Sequence, residues 1–242
     1  MCKILAVTGP TSCSKAIDII TRTAKSFART QRDGFGFVAL DEDGNGAWGR
    51  YYKDFEGWHT TKGALELGEI PPQVWTLIVH GRTSTNVVGV DYCHPYKRGD
   101  AYLVHNGVLN YTGPKENRPK HVNDSAALLE WIVGQDYPEP NEWTKNWAGY
   151  GAVFMAREDG SLRLVKCSTA RLYHTKRRFK GHMFSTDAAD IPMEMAKRPD
   201  LSPGKVGKVD VTFDTHGDIE HVAAFDGFAE REWDYVCDLS YK

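Results

Sequence analysis

The chain has 242 residues, of which 41% are hydrophobic, so it can fill the core of one large domain or two small ones, and we expect one. Its formal net charge of -2 and isoelectric point near 6.5 favour neither nucleic acid nor an anionic membrane as a partner. No apolar run approaches the roughly 18 residues of a membrane-spanning helix, and the first residues lack a signal-peptide core. We therefore expect a cytoplasmic protein with no membrane or nucleic-acid partner.

The first segment, residues 1–7, combines an apolar run typical of a buried strand with a cysteine directly after Met1. Removal of Met1 would give Cys2 a free α-amine beside its thiol. An α-amine titrates near ~8 and a thiol near ~8.5, so the amine can accept the thiol proton without a histidine. Taken alone, such a cysteine is more often a small buried hydrophobe than a nucleophile.

The elements that follow alternate between strands and a few helices. A turn is predicted at residues 9–12, with Ser14 as the cap of a helix over 15–29. Two apolar runs then predict buried strands, and each is followed directly by a polar segment. The runs are 74–80 and 101–104, and the polar segments are 80–85 and 105–110.

Further predicted elements fill the rest of the chain. They are a surface loop at 112–123, a helix at 126–133 capped by residues 123–125, a hairpin of strands 149–155 and 162–165, and shorter strands at 32–38, 172–174, 182–185, 207–213 and 219–224. Many strands with few helices predict a layered α+β fold.

The sequence predicts no metal and no cofactor. Residues 41–46 resemble a calcium loop, but Tyr52 stands where that loop needs a glutamate, and a hairpin turn explains them better. There is no GxxxxGK phosphate loop. The five cysteines are odd in number, scattered and free of CxxC pairs, so neither a disulfide framework nor a zinc knuckle is indicated.

One ordered set of residues resembles the class II glutamine amidotransferases, a branch of the N-terminal nucleophile hydrolases. The set runs Cys2, then Arg32-Asp33-Gly34-Phe35-Gly36, His80-Gly81-Arg82-Thr83-Ser84-Thr85, His94-Pro95, His105-Asn106-Gly107 and Asn123-Asp124. The resemblance covers residues 1–190 and implies a four-layer α/β/β/α sandwich. It makes residues 1–242 a single glutaminase-like domain, in which 191–242 form a C-terminal extension of unknown role.

The resemblance also implies the chemistry. Cys2 would attack the side-chain amide of glutamine, release ammonia and leave a thioester for water to hydrolyse. The Asn106 side-chain amide and the Gly107 backbone N–H would form the oxyanion hole. Arg82 would bind the substrate α-carboxylate and Asp124 the α-ammonium. The expected substrate pocket is completed by Thr83, Ser84 and His105.

Simpler interpretations stand beside these roles. Asn106-Gly107 is also a hairpin-turn signal, Arg82 suits an exposed surface and Asp124 suits a helix N-cap. His80, His94 and His105 are expected to be structural. The basic run at 176–180 fits a solvated hairpin end better than a nucleic-acid patch.

The implied partners are glutamine, or another γ-glutamyl small molecule, and a separate synthase that accepts the ammonia. Too little chain follows the glutaminase-like region to build a synthase domain of its own. The alternatives are a stand-alone γ-glutamyl amide hydrolase and a catalytically silent binding or regulatory subunit.

Overall fold

In a computed structural model, two antiparallel sheets stack face to face and helices cover their outer surfaces. The structure describes residues 2–52, 67–84, 88–121, 123–166, 172–177 and 181–192, and the backbone of 206–207, 209–213, 219–224 and 234–235. The sequence prediction of a four-layer α/β/β/α sandwich is confirmed. None of the described helices is both long and apolar enough to cross a bilayer.

The first sheet contains six strands among the described residues. In chain order they are β1 (Lys3–Ser12), β2 (Gly34–Leu40), β3 (Gly46–Tyr51), β4 (Gln73–Arg82), β9 (Tyr173–Lys176) and β10 (His182–Ser185). Their order across the sheet is β3-β2-β4-β1-β10-β9. Strands β1 and β4 therefore lie at its centre.

The second sheet also contains six described strands. They are β5 (Tyr96–Arg98), β6 (Ala101–Tyr111), β7 (Trp147–Arg157), β8 (Leu162–Lys166), β12 (Val209–Phe213) and β13 (Ile219–Ala224), in the order β13-β12-β8-β7-β6-β5. The C-terminal extension thus adds two strands to this sheet through the pairing of β12 with β8. A separate parallel pair consists of β11 (Val206–Gly207) and β14 (Asp234–Tyr235).

Among the residues that the structure describes, three α-helices complete the layers: α1 (Cys13–Ala28), α2 (Asp124–Gly134) and α3 (Pro140–Asn146). Helix α1 covers the first sheet because its apolar residues recur every three or four positions, which puts Ile20, Ala24 and Phe27 on one buried face. On the second sheet, α2 and α3 bury Leu128 and Trp143.

Strand alternation decides which side chains lie between the sheets. In β1, Leu5 and Val7 pack towards α1, whereas Ile4 and Ala6 pack into the layer between the sheets. In β6, Leu103 packs towards α2 and Val104 into the inter-sheet layer. The same alternation carries on into the polar residues of both strands.

The predicted turn at residues 9–12 is wrong, because these residues continue β1 after an irregularity in its pairing with β4 between Thr8 and Thr11. The buried Arg177 guanidinium stabilises this irregularity by donating to the carbonyl oxygens of Thr8, Gly9 and Pro10, at 2.9, 2.7 and 2.9 Å. Of the basic run at 176–180, residues 178–180 lie outside the described part.

The predicted helix start was also misplaced. The first helix begins at Cys13, and its N-cap is Ser12 rather than Ser14, with the Ser12 hydroxyl accepting from the Lys15 backbone N–H. The cause is the extra length of β1, which delivers the chain directly into the helix.

Candidate active site

Cys2 directly precedes β1 and borders the space between the two sheets. Lys3 pairs with Gly81, so Cys2 stands beside Arg82 at the end of β4. Because Cys2 and Ile4 are two residues apart, both are placed on the face of β1 towards the second sheet. The Cys2 thiol is 3.7 Å from the carbonyl oxygen of Thr83.

Burial dominates the electrostatics of the Cys2 thiol. Burial raises the pKa of this thiol above its ordinary value, while the neighbouring Arg82 guanidinium lowers it and the Asp124 carboxylate raises it further. The net result is a thiol that is protonated at neutral pH. A nucleophilic role for it therefore requires a nearby base.

Lys3 anchors the start of β1. Its ammonium group lies 2.8 Å from Asp187 and 3.0 Å from Asp190, and the Ser26 hydroxyl of α1 donates to Asp190 at 2.9 Å. The backbone N–H of Ile4 also donates to the Thr186 hydroxyl at 2.9 Å. These contacts fix the residue that follows Cys2 to α1 and to the segment after β10.

Arg82 is buried, with 8% of its surface exposed, so the surface-arginine interpretation is wrong. Its guanidinium carbon lies 5.9 Å from the centre of the Tyr92 ring. Since Ile78 of β4 packs between the sheets, the alternation places Arg82 on the same face. Arg82 and Cys2 thus share one end of the inter-sheet space.

The two residues after Arg82 form a short bend held by hydrogen bonds. Asp33 donates its backbone N–H to the Arg82 carbonyl at 3.1 Å and accepts the Ser84 backbone N–H at 2.7 Å. The Thr83 hydroxyl donates to the Thr30 carbonyl at 3.4 Å. Asp33 therefore shapes this part of the site, although the sequence analysis gave it no role.

Asn106 and Gly107 lie in the middle of β6 and pair with Ala152 and Gly151 of β7, so neither a hairpin turn nor a strand end is correct. Asn106 is 6% exposed, and its side-chain oxygen has no hydrogen-bond partner among the described residues. By alternation with Val104, its side chain is placed on the face towards the first sheet.

Positions 107 and 151 each require a glycine. A Cβ atom on Gly151 would stand 2.4 Å from Nε2 of His105 and 2.6 Å from the Asn106 carbonyl oxygen. One on Gly107 would stand 2.0 Å from the Tyr150 carbonyl oxygen. The two glycines let β6 and β7 close around the His105 ring.

Asp124 is the first residue of α2, whereas the N-cap is Asn123, whose side chain accepts from the backbone N–H groups of Ser125 and Ala126. The Asp124 carboxylate accepts the Leu109 backbone N–H of β6 at 2.9 Å and the Ser125 backbone N–H at 2.7 Å. It thereby ties α2 to β6, and an acceptor position remains on the oxygen that binds Leu109.

The three histidines of the predicted site are buried together. The His80 and His94 ring centres are 4.2 Å apart, and Nδ1 of His105 is 3.1 Å from the Ser125 hydroxyl. Burial lowers the pKa of His80 to about 3, that of His94 well below its ordinary value, and that of His105 in the same direction. All three are neutral at pH 7, which suits packing and positioning roles.

His80 of β4 lies close to the backbone of His105 of β6, which opposes the decrease in the pKa of His80 that burial causes. Cys2, Arg82 and Asn106 therefore project from three strands into one end of the inter-sheet space. The described residues contain no group of three or more His, Cys, Asp or Glu side chains arranged to hold a metal ion.

Sequence reasoning missed residues whose role is visible only in the folded chain. Lys3, Asp187 and Asp190 form the anchor of β1, and Asp33 holds the bend after β4. Lys3 and the two aspartates are separated by more than 180 residues, and no local pattern connects them. Only Asp33 carried a signal, because it immediately precedes the glycine-rich start of β2.

Comparison with known proteins identifies the fold. No family model and no curated protein sequence matches the chain. Among solved structures, glutamine phosphoribosylpyrophosphate amidotransferase from B. subtilis, complexed with ADP and GMP, is 13% identical with a TM-score of 0.62. The structure described as the allosteric regulatory enzyme of purine biosynthesis is 14% identical with a TM-score of 0.65.

Each of these matches covers 95% of this chain and 50% of the other, so the chain spans about half the length of the structures it resembles. The chain therefore shares the fold of these structures, as its resemblance to the class II glutamine amidotransferases predicted. At this level of identity the likeness concerns the fold, and activity must be argued from the site.

Proposed function

We propose that this protein hydrolyses the side-chain amide of glutamine, or of a related γ-glutamyl compound, through Cys2. The observation that carries the proposal is the placement of the Cys2 thiol beside Arg82, 3.7 Å from the Thr83 carbonyl, on the strand face turned towards Asn106. A nucleophile, a carboxylate-binding cation and an amide donor then converge on one space.

The proposed reaction begins with removal of Met1. The freed α-amine of Cys2 accepts the thiol proton, and the thiolate attacks the amide carbonyl carbon of the substrate. Because burial raises the pKa of the thiol, this base is needed for attack at neutral pH. The amine then gives the proton to the departing ammonia, and a thioester remains on Cys2. Water hydrolyses that thioester to glutamate and restores the thiol.

The neighbouring residues receive roles that match their chemistry. The Asn106 side-chain N–H and the Gly107 backbone N–H stabilise the oxyanion. Arg82 binds the α-carboxylate through its planar guanidinium. Asp124 uses its remaining acceptor position for the α-ammonium, and the bend at Thr83 and Ser84 borders the substrate. His105 contacts the Ser125 hydroxyl and thereby has a positioning role.

The test is a turnover assay with glutamine and with γ-glutamyl amides, in which glutamate and the leaving group, ammonia from glutamine or the amine from a substituted amide, are both measured. Equal amounts of the two products are expected, and Cys2→Ala should abolish both. Cys13→Ala is the matched control, because Cys13 is a half-buried thiol at the start of α1 and should leave turnover unchanged. Turnover that survives Cys2→Ala refutes the mechanism.

Intact-mass measurement separates this function from that of a silent subunit. Active protein should lack Met1, and a variant engineered to retain a residue before Cys2 should be inactive. A stimulation of glutamine turnover by a co-purified synthase would identify an ammonia donor, whereas preference for a substituted γ-glutamyl amide would identify a stand-alone hydrolase.

A further inference from the structure

A cavity of about 410 Å³ lies beside the proposed active site. Its walls come from β3, β5, the segment before β5 and the start of α2. Its lining residues include Trp48, Arg50, Tyr92, Tyr96 and Arg98. Its volume lies within the range of small-molecule sites, roughly 300–1,000 Å³.

This cavity is separate from the proposed glutamine site. Neither Cys2, Arg82 nor Asn106 lines it. The two spaces are neighbours, because Tyr92 belongs to the cavity wall and its ring centre lies 5.9 Å from the Arg82 guanidinium carbon. A ligand in the cavity would thus sit next to, and not on, the residues assigned to glutamine.

Its charge favours an anion. Three cationic side chains, Arg50, Lys97 and Arg98, line the cavity against the single carboxylate of Asp91. Lys97 is already paired with Glu158 at 2.8 Å. Arg50 lies 3.9 Å from Asp91, whose side chain is 86% exposed, so this pair is weak and leaves the guanidinium available to a ligand.

A buried hydroxyl adds a directional contact. Tyr96 is 6% exposed, and its hydroxyl has no hydrogen-bond partner among the described residues. Leaving a buried polar group without a partner is unfavourable, and a ligand oxygen supplies the missing hydrogen bond. Burial raises the pKa of Tyr96, so the hydroxyl keeps its proton and acts as a donor. The Arg50 guanidinium stands 5.7 Å over the same ring.

The remaining wall suits a flat apolar group. Trp48, Tyr92 and Tyr96 supply aromatic surfaces, and Ala126 and Leu129 of α2 supply aliphatic ones. Aromatic rings prefer offset or edge contacts with other rings, so a planar ligand gains more here than a flexible chain.

We propose that this cavity binds a small anion that carries a planar ring, with Arg50 and the Tyr96 hydroxyl on the anionic group and Trp48 and Tyr92 against the ring. The site does not depend on Cys2 chemistry. It gives the protein a second ligand next to the amide substrate.

Calorimetric titration of the full chain with phenyl phosphate tests the proposal, with phenol and inorganic phosphate as the two halves of the probe. Saturable binding is expected for phenyl phosphate, at least about tenfold tighter than for either half. Arg50→Gln should weaken it about tenfold or more, as expected for loss of a charge-assisted hydrogen bond. Arg22→Gln is the matched control and should leave binding unchanged, because Arg22 is an exposed side chain of α1 that does not line the cavity.

Two further binding measurements distinguish this cavity from the proposed glutamine site. Binding should be the same in Cys2→Ala, so a failed hydrolase mechanism would leave this result intact. It should also persist at saturating glutamine in that variant. Absence of saturable binding, equal binding by Arg50→Gln, or complete displacement by glutamine would each overturn the proposed site.

Discussion

Asn106→Ala separates catalysis from stability more sharply than any other substitution in the candidate site. Its side-chain oxygen is buried without a partner among the described residues, while its amide N–H is the proposed oxyanion donor. Loss of one such donor typically lowers kcat by about 10²–10³, or roughly 2.7–4 kcal/mol of transition-state stabilisation. We expect a decrease in kcat of that size.

The free energy of unfolding should respond differently. Truncation at a 6% exposed position removes packing, but it also removes a buried acceptor whose unmet hydrogen bond costs about 1–3 kcal/mol. The two effects oppose each other, so the change in stability should stay within about 1 kcal/mol. If the measured free energy of unfolding changes this little, unfolding cannot be the cause of a lower kcat.

The assay is steady-state glutamine hydrolysis together with urea unfolding of the same preparations. Asn110→Ala is the control, because Asn110 lies on the same strand but is exposed, and both quantities should match the unaltered protein. A kcat for Asn106→Ala within about threefold of the unaltered protein, far short of the typical effect of an oxyanion donor, would refute the assignment. A large decrease in the free energy of unfolding would contradict the conclusion that the buried side-chain oxygen of Asn106 lacks a hydrogen-bond partner.

Other predictions concern the scaffold around the site. Arg177→Met should lower the free energy of unfolding by about 3 kcal/mol or more, because three carbonyl oxygens of β1 lose a charged donor; a chemical denaturation curve close to that of the unaltered protein would contradict it. Lys3 lowers the pKa of Asp187, so this pair stabilises the fold above the unfolded aspartate pKa of about 3.9 and the contribution disappears as pH falls through the lower folded value. Asp187→Asn should flatten acid unfolding in that range, and an unchanged profile would exclude the role. Buried histidines with lowered pKa values bind protons more readily when unfolded, so urea midpoints should fall as pH drops below about 6.5; a pH-independent midpoint would contradict the buried, neutral state of His80, His94 and His105.

Local patterns in the sequence were sufficient for the layered fold. The apolar runs of β4 and β6 predicted buried strands, and the residues of α1 with helical spacing predicted its covered face. Where two local signals competed, the prediction failed. Asn106-Gly107 has the composition of a tight turn, yet pairing with β7 over the whole of β6 holds it extended.

The ends of elements also needed the folded chain. Gly9-Pro10 indicates a turn by composition, but Arg177, far away in sequence, donates to three carbonyl oxygens of the irregular backbone and holds it in the strand. Such compensation is invisible locally, because the donor and the acceptors lie about 170 residues apart in the chain.

The candidate site divides in the same way. The sequence alone indicated which residues to examine, because the order of Cys2, Arg82, Asn106 and Asp124 resembles that of the class II glutamine amidotransferases. Tertiary structure alone decided that Cys2, Arg82 and Asn106 lie on strand faces turned towards the layer between the sheets, because strand alternation and the pairing of β1 with β4 set those faces. It also decided that the nearby imidazoles are neutral and that a cationic, aromatic cavity adjoins the site, since burial and long-range proximity are properties of the packed chain.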